Sequence, residues 1–236
     1  VMRRLARDVH DSIGGGAGCA PDSELGPPSD VAVDDQGRIY IADPTRMVVH
    51  VRSPFDRSEE RRFGTAGLPY TTDADHFNEP SGVAVADDGS LLLVEQAGHR
   101  LVRRGPDGAV VGIFGMPGTA GSDLDHLDQP GDVDFDGSGR AVVADTGNDR
   151  LLVLNPDGGV AATIGSGGAG PGELDGPEGV AVAPSGELVV ADTGNRRVQR
   201  FDASGAVLAT VSDSYLRPAD VVVDSRGWLH VADAGR

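Results

Sequence analysis

The sequence predicts an all-β fold made of repeated four-stranded units, and three observations carry that prediction. One phrase recurs five times, each copy leads through a Gly-terminated turn into a second apolar run, and no stretch shows the 3.6-residue periodicity of a helix. The phrases are Pro28-Ser-Asp-Val-Ala-Val-Asp34, Pro80-Ser-Gly-Val-Ala-Val-Ala86, Pro130-Gly-Asp-Val-Asp-Phe-Asp136, Pro177-Glu-Gly-Val-Ala-Val-Ala183 and Pro218-Ala-Asp-Val-Val-Val-Asp224. The turns end at Gly37, Gly89, Gly139, Gly186 and Gly227, and most second runs close on an Ala-Asp pair at Asp43, Asp145, Asp192 and Asp233.

Each element follows from local chemistry. Runs of four to six Val, Leu and Ile bounded by Gly, Asp and Pro are strands, because β-branched side chains suit an extended backbone and the bounding residues suit turns. A third run, another Gly-containing turn and a fourth run complete each unit. Four strands in roughly 40–50 residues is the pattern of a β-propeller blade. The first Val of each phrase falls at 31, 83, 133, 180 and 221, in steps of 52, 50, 47 and 41. Counting from Val221 through Arg236 and on from Val1 to Val31 gives 46, inside that range. The expectation is therefore one propeller domain over residues 1–236, with units beginning near 27, 79, 129, 176 and 217. Residues 1–26 are expected to supply closing outer strands and a connector, with Val1–Gly14 completing the blade that Pro218–Arg236 begins. Five blades follow, with a six-bladed ring as the alternative. Such closure removes an exposed edge strand.

Composition excludes several classes of function. The 236 residues carry 20 basic groups, all Arg, against 29 Asp and 8 Glu, for a net charge of −17. That surface repels phosphate backbones, so a nucleic-acid partner is not expected. No apolar run approaches the roughly 18 residues of a spanning helix, so membrane insertion is not expected either. Cys19 is the single cysteine and forms no internal disulfide. Localisation stays open, with an extracytoplasmic or secreted site as one reading. A monomer is expected.

The pattern Pro-x-Gly-Val-Ala-Val, a Gly turn and Val-Ala-Asp-Thr-Gly-Asn-x-Arg-Val-x-x-Phe, best seen over Pro177–Phe201, resembles the NHL repeat. The resemblance implies a β-propeller that works as a recognition platform, as in extracellular sensor domains of bacterial kinases and in protein- or RNA-binding modules. Some relatives are lyases that place metal-binding His directly after the repeat's Pro. Here those positions hold Ser29, Ser81, Gly131, Glu178 and Ala219, so that metal site does not carry over.

Subtracting the repeat leaves a small set of candidate residues. Two lead-in loops share Asp-x-Asp-His four residues before Pro: Asp73-Ala-Asp75-His76 and Asp123-Leu-Asp125-His126. On adjacent blades they carry two imidazoles and several carboxylates toward one face, a donor set suited to a divalent cation. The bland alternative is that the Asp cap turns and the His was duplicated with its unit. His99 stands where repeats three and four have Asp149 and Arg196, on the same face. Asp134 interrupts a column otherwise filled by Ala32, Ala84, Ala181 and Val222, so it must face the channel, pair or bind a cation. Asp30, Asp132 and Asp220 alternate with Gly82 and Gly179 in the neighbouring column and are placed to ring the channel mouth. Arg100, Arg150 and Arg197 recur after the Asp-Thr-Gly-Asn turn and read as braces forked onto carboxylates or carbonyls in preference to ligand contacts. Tyr70, Phe77 and Tyr215 are the aromatic candidates for a top-face contact. His230 beside Trp228 reads as strand packing, and Gly165–Gly172 as a flexible connector.

The functional expectation is a non-catalytic recognition or scaffold propeller binding a protein, peptide or small-molecule ligand on its loop-rich top face. Its ligand-binding candidates are His76, His99, His126, Asp75, Asp125, Asp134, Arg100, Arg150 and Arg197, with no cofactor required and a divalent cation as an option. The alternatives are a metal-assisted lyase or hydrolase at the top of the channel, and a structural repeat domain of a larger protein.

Overall fold

A computed structural model describes residues 25–56, 58–65, 73–212, 215 and 217–235. Blade one is β1 (Asp30–Val33), β2 (Ile39–Asp43), β3 (Val48–Arg52) and β4 (Glu59–Phe63). Blade two is β5 (Pro80–Val85), β6 (Leu91–Glu95), β7 (Arg100–Arg104) and β8 (Val110–Phe114). Blade three is β9 (Asp132–Phe135), β10 (Ala141–Asp145), β11 (Arg150–Leu154) and β12 (Val160–Ile164). Blade four is β13 (Pro177–Val182), β14 (Leu188–Asp192), β15 (Arg197–Phe201) and β16 (Val207–Val211), and a two-stranded sheet of β17 (Pro218–Val223) and β18 (Leu229–Asp233) follows. Each blade is an antiparallel meander, and the inner strands β1, β5, β9, β13 and β17 pack side by side in that order.

The all-β propeller agrees with the sequence, but the blade count does not. The described residues hold four four-stranded blades, not the five or six expected. The cause is that the fifth unit contributes only β17 and β18. The Val1–Gly14 segment expected to add its outer pair lies outside the described residues.

Burial explains the near-continuous apolar runs. Strands β2, β6, β10 and β14 are buried along their whole length: β6 and β10 lie between two blades, β14 between blade three and the two-stranded sheet, and β2 between blade two and Leu25 of the lead-in. The core is therefore a row of blade-to-blade interfaces. Val94, Leu92 and Leu101 of blade two meet Val133, Val143 and Leu152 of blade three, and Val142, Leu151 and Val153 meet Val180, Val190 and Phe201 of blade four. Fully burying side chains of this size contributes about 1.5–3 kcal/mol each. Outer strands alternate instead, as β12 does, because one face meets solvent.

The turns between first and second strands lie on the face opposite the lead-in loops. Gly37, Gly139 and Gly227 have φ of 80°, 74° and 80°, the left-handed conformation that glycine adopts most cheaply. Asp136 accepts N–H bonds from Ser138 at 2.8 Å and Arg140 at 2.9 Å, and Asp224 does the same for Arg226 and Trp228. These carboxylates are turn caps.

Candidate functional site

The lead-in loops and the second-to-third-strand turns share one face, and a repeated acid fixes each loop there. The carboxylate closing the second strand accepts a lead-in N–H in every unit: Gly26 to Asp43 (2.7 Å), Asn78 to Glu95 (2.9 Å), Asp128 to Asp145 (2.7 Å), Asp175 to Asp192 (2.8 Å) and Arg217 to Asp233 (2.8 Å). This role was not foreseen from the sequence, although the near-constant 16- or 17-residue separation of donor and acceptor is visible in the chain.

Three arginines complete the fastening. Arg150 Nε donates to Asp145 at 2.7 Å, while its Nη atoms donate to the carbonyls of Ser122, Asp123 and His126 at 2.9, 2.8 and 3.1 Å. Arg197 repeats the arrangement on Asp192, Ala169, Gly170 and Glu173. Arg100 joins Glu95 to the His76 carbonyl. All three are braces, as their recurrence suggested. Burial pushes the Glu95 and Asp145 carboxyls up, against the guanidinium and N–H partners that favour the charged form. The Gly165–Gly172 stretch, expected to be a flexible connector, contributes to this fastening. Gly168 N–H donates to Leu174, Gly170 N–H donates to Glu173, and Arg197 grips its carbonyls.

Each histidine has a contact of its own. His76 Nδ1 lies 2.8 Å from Asp73, and His126 Nδ1 lies 2.6 Å from Asp123, each within its own loop. The His76 and His126 hydrogen bonds, ahead of the loop N–H bonds, hold Asp73 and Asp123 below the usual carboxylate range. Asp75 accepts from Arg104 at 2.8 Å, and the Asp125 N–H closes a turn onto Asp123. His99 Nδ1 accepts the Gln129 N–H at 3.1 Å. Among the described residues no three His, Cys, Asp or Glu side chains are placed to hold one metal ion.

The inner-strand acids form rungs between blades. Asp30 accepts N–H bonds from Val31 and Val83, and Asp132 accepts them from Val133 and Val180. Asp134 accepts from Phe135 and Val182, both at 2.8 Å, so the odd residue of its column is a second inter-blade clamp one step along the strand. The Asp and Gly alternation has a steric cause. A Cβ on Gly82 would stand 2.6 Å from Asp132 Cα, and one on Gly179 would stand 2.7 Å from Asp220 Cα. Burial, then the neighbouring Asp30 and Asp220 carboxylates, push the Asp132 carboxyl well above the usual range.

A cleft of about 980 Å³ opens at the channel mouth between the two-stranded sheet and blade one. Its wall includes the residue after Pro in all five phrases: Ser29, Ser81, Gly131, Glu178 and Ala219. Asp30, Asp132 and Asp220 line it as well, with Gln96 and Arg217 at its margin. Arg217 Nη2 pairs with Glu178 at 2.8 Å on the rim. The nine residues nominated from the sequence stand outside this lining. The signal that finds the cleft is the column after Pro, which in the sequence alone served only to exclude a metal site. Phe77, expected at the surface, is buried in the core between blades one and two, and Tyr70 lies outside the described residues. Tyr215 packs beside Val221. His230, expected to pack, is exposed, with Nε2 3.6 Å from Asp224, and the neighbouring Trp228 is exposed too.

This fold, a ring of radially arranged four-stranded blades with loops gathered at the channel mouth, defines a β-propeller. Residues 174–201 match the NHL repeat. No curated protein sequence matches the chain. Among solved structures, Kuenenia stuttgartiensis hydrazine synthase aligns over 91% of this chain with a TM-score of 0.65 and 18% identity. This chain spans 57% of that one. A streptogramin B lyase aligns over 91% of this chain and 70% of its own, with a TM-score of 0.64 and 13% identity. A catalytically inactive virginiamycin B lyase from Staphylococcus aureus with quinupristin aligns over 87% and 84%, with a TM-score of 0.56 and 13% identity. At these identities the likeness is one of fold. No helix among the described residues is long and apolar enough to cross a membrane.

Proposed function

We propose that the chain is a non-catalytic recognition scaffold that binds a protein, peptide or small-molecule ligand in the cleft on its loop-rich face. One observation carries this reading. The cleft gathers the residue after Pro from all five phrases, Ser29, Ser81, Gly131, Glu178 and Ala219, which differ among units, while the acids and arginines that close the second strands are engaged in fastening loops. Ser29 and Ser81 donate to the Pro80 and Pro130 carbonyls of the next blades, so the wall is fixed as firmly as the frame. A rigid scaffold that gathers differing residues at one mouth is how a repeat fold carries specificity. The volume falls in the range of ligand pockets.

A second reading, a metal-assisted lyase or hydrolase, is favoured by the likeness to two lyase structures. Against it, His76, His99 and His126 each serve a separate loop contact. A role as a structural repeat of a larger protein is compatible with either reading.

The test is a peptide library displayed on phage, with each selected binder mapped by backbone amide shifts. Binders that move Ser81, Gly131 and Ala219 support the cleft. Binders that instead move the opposite face, around Gly139 and Trp228, overturn it.

A further inference from the structure

Three lead-in residues directly before Pro have positive φ: Glu79 at 53°, Gln129 at 47° and Gly176 at 52°. Proline disfavours helical-type conformations in the residue before it, and a side chain at positive φ adds cost. Gln129 is therefore strained where Gly176 is not. Both donate their N–H to the turn of the preceding blade. Gly176 donates to Asp149 Oδ1 at 2.7 Å, and Gln129 donates to His99 Nδ1 at 3.1 Å. His99 and Asp149 occupy one repeat position, four residues after Glu95 and Asp145, with φ of 51° and 52°. An imidazole nitrogen does at one blade joint what a carboxylate oxygen does at the next.

The two acceptors differ in what a proton does to them. To accept the Gln129 N–H, Nδ1 must carry a lone pair, so the ring is neutral with its hydrogen on Nε2. A proton on Nδ1 sets donor against donor. Asp128 Oδ1, 3.4 Å from the same nitrogen, is placed to take the new hydrogen. The other charged groups nearby are already engaged: His126 of the same lead-in loop with Asp123, and Glu95 with Arg100 on the blade that carries His99.

We infer that His99 is a pH-operated latch between blades two and three. Neutral, it holds strained Gln129; protonated, it turns to Asp128 and releases Gln129. Gly131, two residues on, lines the cleft, so the latch acts on the cleft wall whatever the cleft binds. Imidazoles as a class change charge between about pH 5 and 8, a span in which ordinary carboxylates are ionised.

Amide hydrogen exchange followed by NMR tests this on the whole chain. Protection of the Gln129 amide, corrected for its intrinsic exchange rate, should fall about tenfold from about pH 8 to about pH 5, the scale of one lost hydrogen bond. Protection of the Gly176 amide should hold. His99→Asp, which installs the acceptor of the next joint, should remove the pH dependence at Gln129, and His99→Asn should do the same with a neutral acceptor. A Gln129 amide insensitive to pH in the wild type would overturn the latch. So would a dependence that survives in both variants, or an equal loss of protection at Gly176.

Discussion

Arg150→Ala removes the guanidinium that ties blade three to its lead-in loop, and its cost follows from the groups it leaves unpaired. Asp145 is fully buried and keeps the Asp128 N–H and the Asn148 amide, but it is deprived of its cation. The carbonyls of Ser122, Asp123 and His126 are left without that donor as well. Removing one partner of a buried ion pair costs about 3–5 kcal/mol. The loop carbonyls can take water instead, so the lower half of that range, about 3–4 kcal/mol, is expected. Arg150→Lys should recover little, because an ammonium cannot reach a carboxylate and three carbonyls in one plane. Arg140→Ala is the control. Its partner Asp136 caps a turn on the opposite face, the Arg140 side chain is 34% exposed, and a cost below about 1 kcal/mol is expected. Urea unfolding with linear extrapolation measures all three variants. If Arg150→Ala costs no more than Arg140→Ala, the brace contributes nothing and the reasoning fails.

The same geometry makes three further predictions. Asp132, with its carboxyl pushed up, binds its proton more tightly folded than unfolded, so stability drains away as pH rises through the window between the ordinary and raised values. Thermal melts across pH should show the wild type losing ground to Asp132→Ala as pH climbs from about 4, and a constant difference would count against the crowded carboxylates. Gly82→Ala should cost about 1–3 kcal/mol because its Cβ meets the Asp132 backbone, while Gly137→Ala, with open space around it, should be nearly neutral by urea unfolding. Zn²⁺ should leave the melting temperature unchanged, since His76 and His126 serve separate loops; a Zn²⁺-dependent rise lost in His126→Ala would restore the metal-site reading.

The blade grammar was legible because it is enforced locally. Val-Ala-Val runs, Gly turns and Asp caps each follow from backbone chemistry, and five copies repeat them. The arginine braces were legible for the same reason: Arg150 and Arg197 sit at one position in each repeat and meet one need. The histidines misled because a residue type rich in chemistry stands out in sequence, yet His76 and His126 only close turns onto Asp73 and Asp123. Asp134 looked costly to bury because the N–H that satisfies it, on Val182, lies 48 residues away on the next blade. The cleft was hidden because its wall is made of ordinary residues, Ser81 and Gly131 among them, that acquire meaning only when five lead-ins meet.

The central claim is that binding takes place in the cleft and that the surrounding acids, arginines and histidines form its frame. Comparing a library-selected peptide's affinity for the wild type, Ala219→Trp and Trp228→Ala tests it most directly. The account predicts that Ala219→Trp, which fills the cleft, abolishes binding, while Trp228→Ala on the opposite face leaves it unchanged. Undiminished binding to Ala219→Trp, or loss with Trp228→Ala alone, would contradict it.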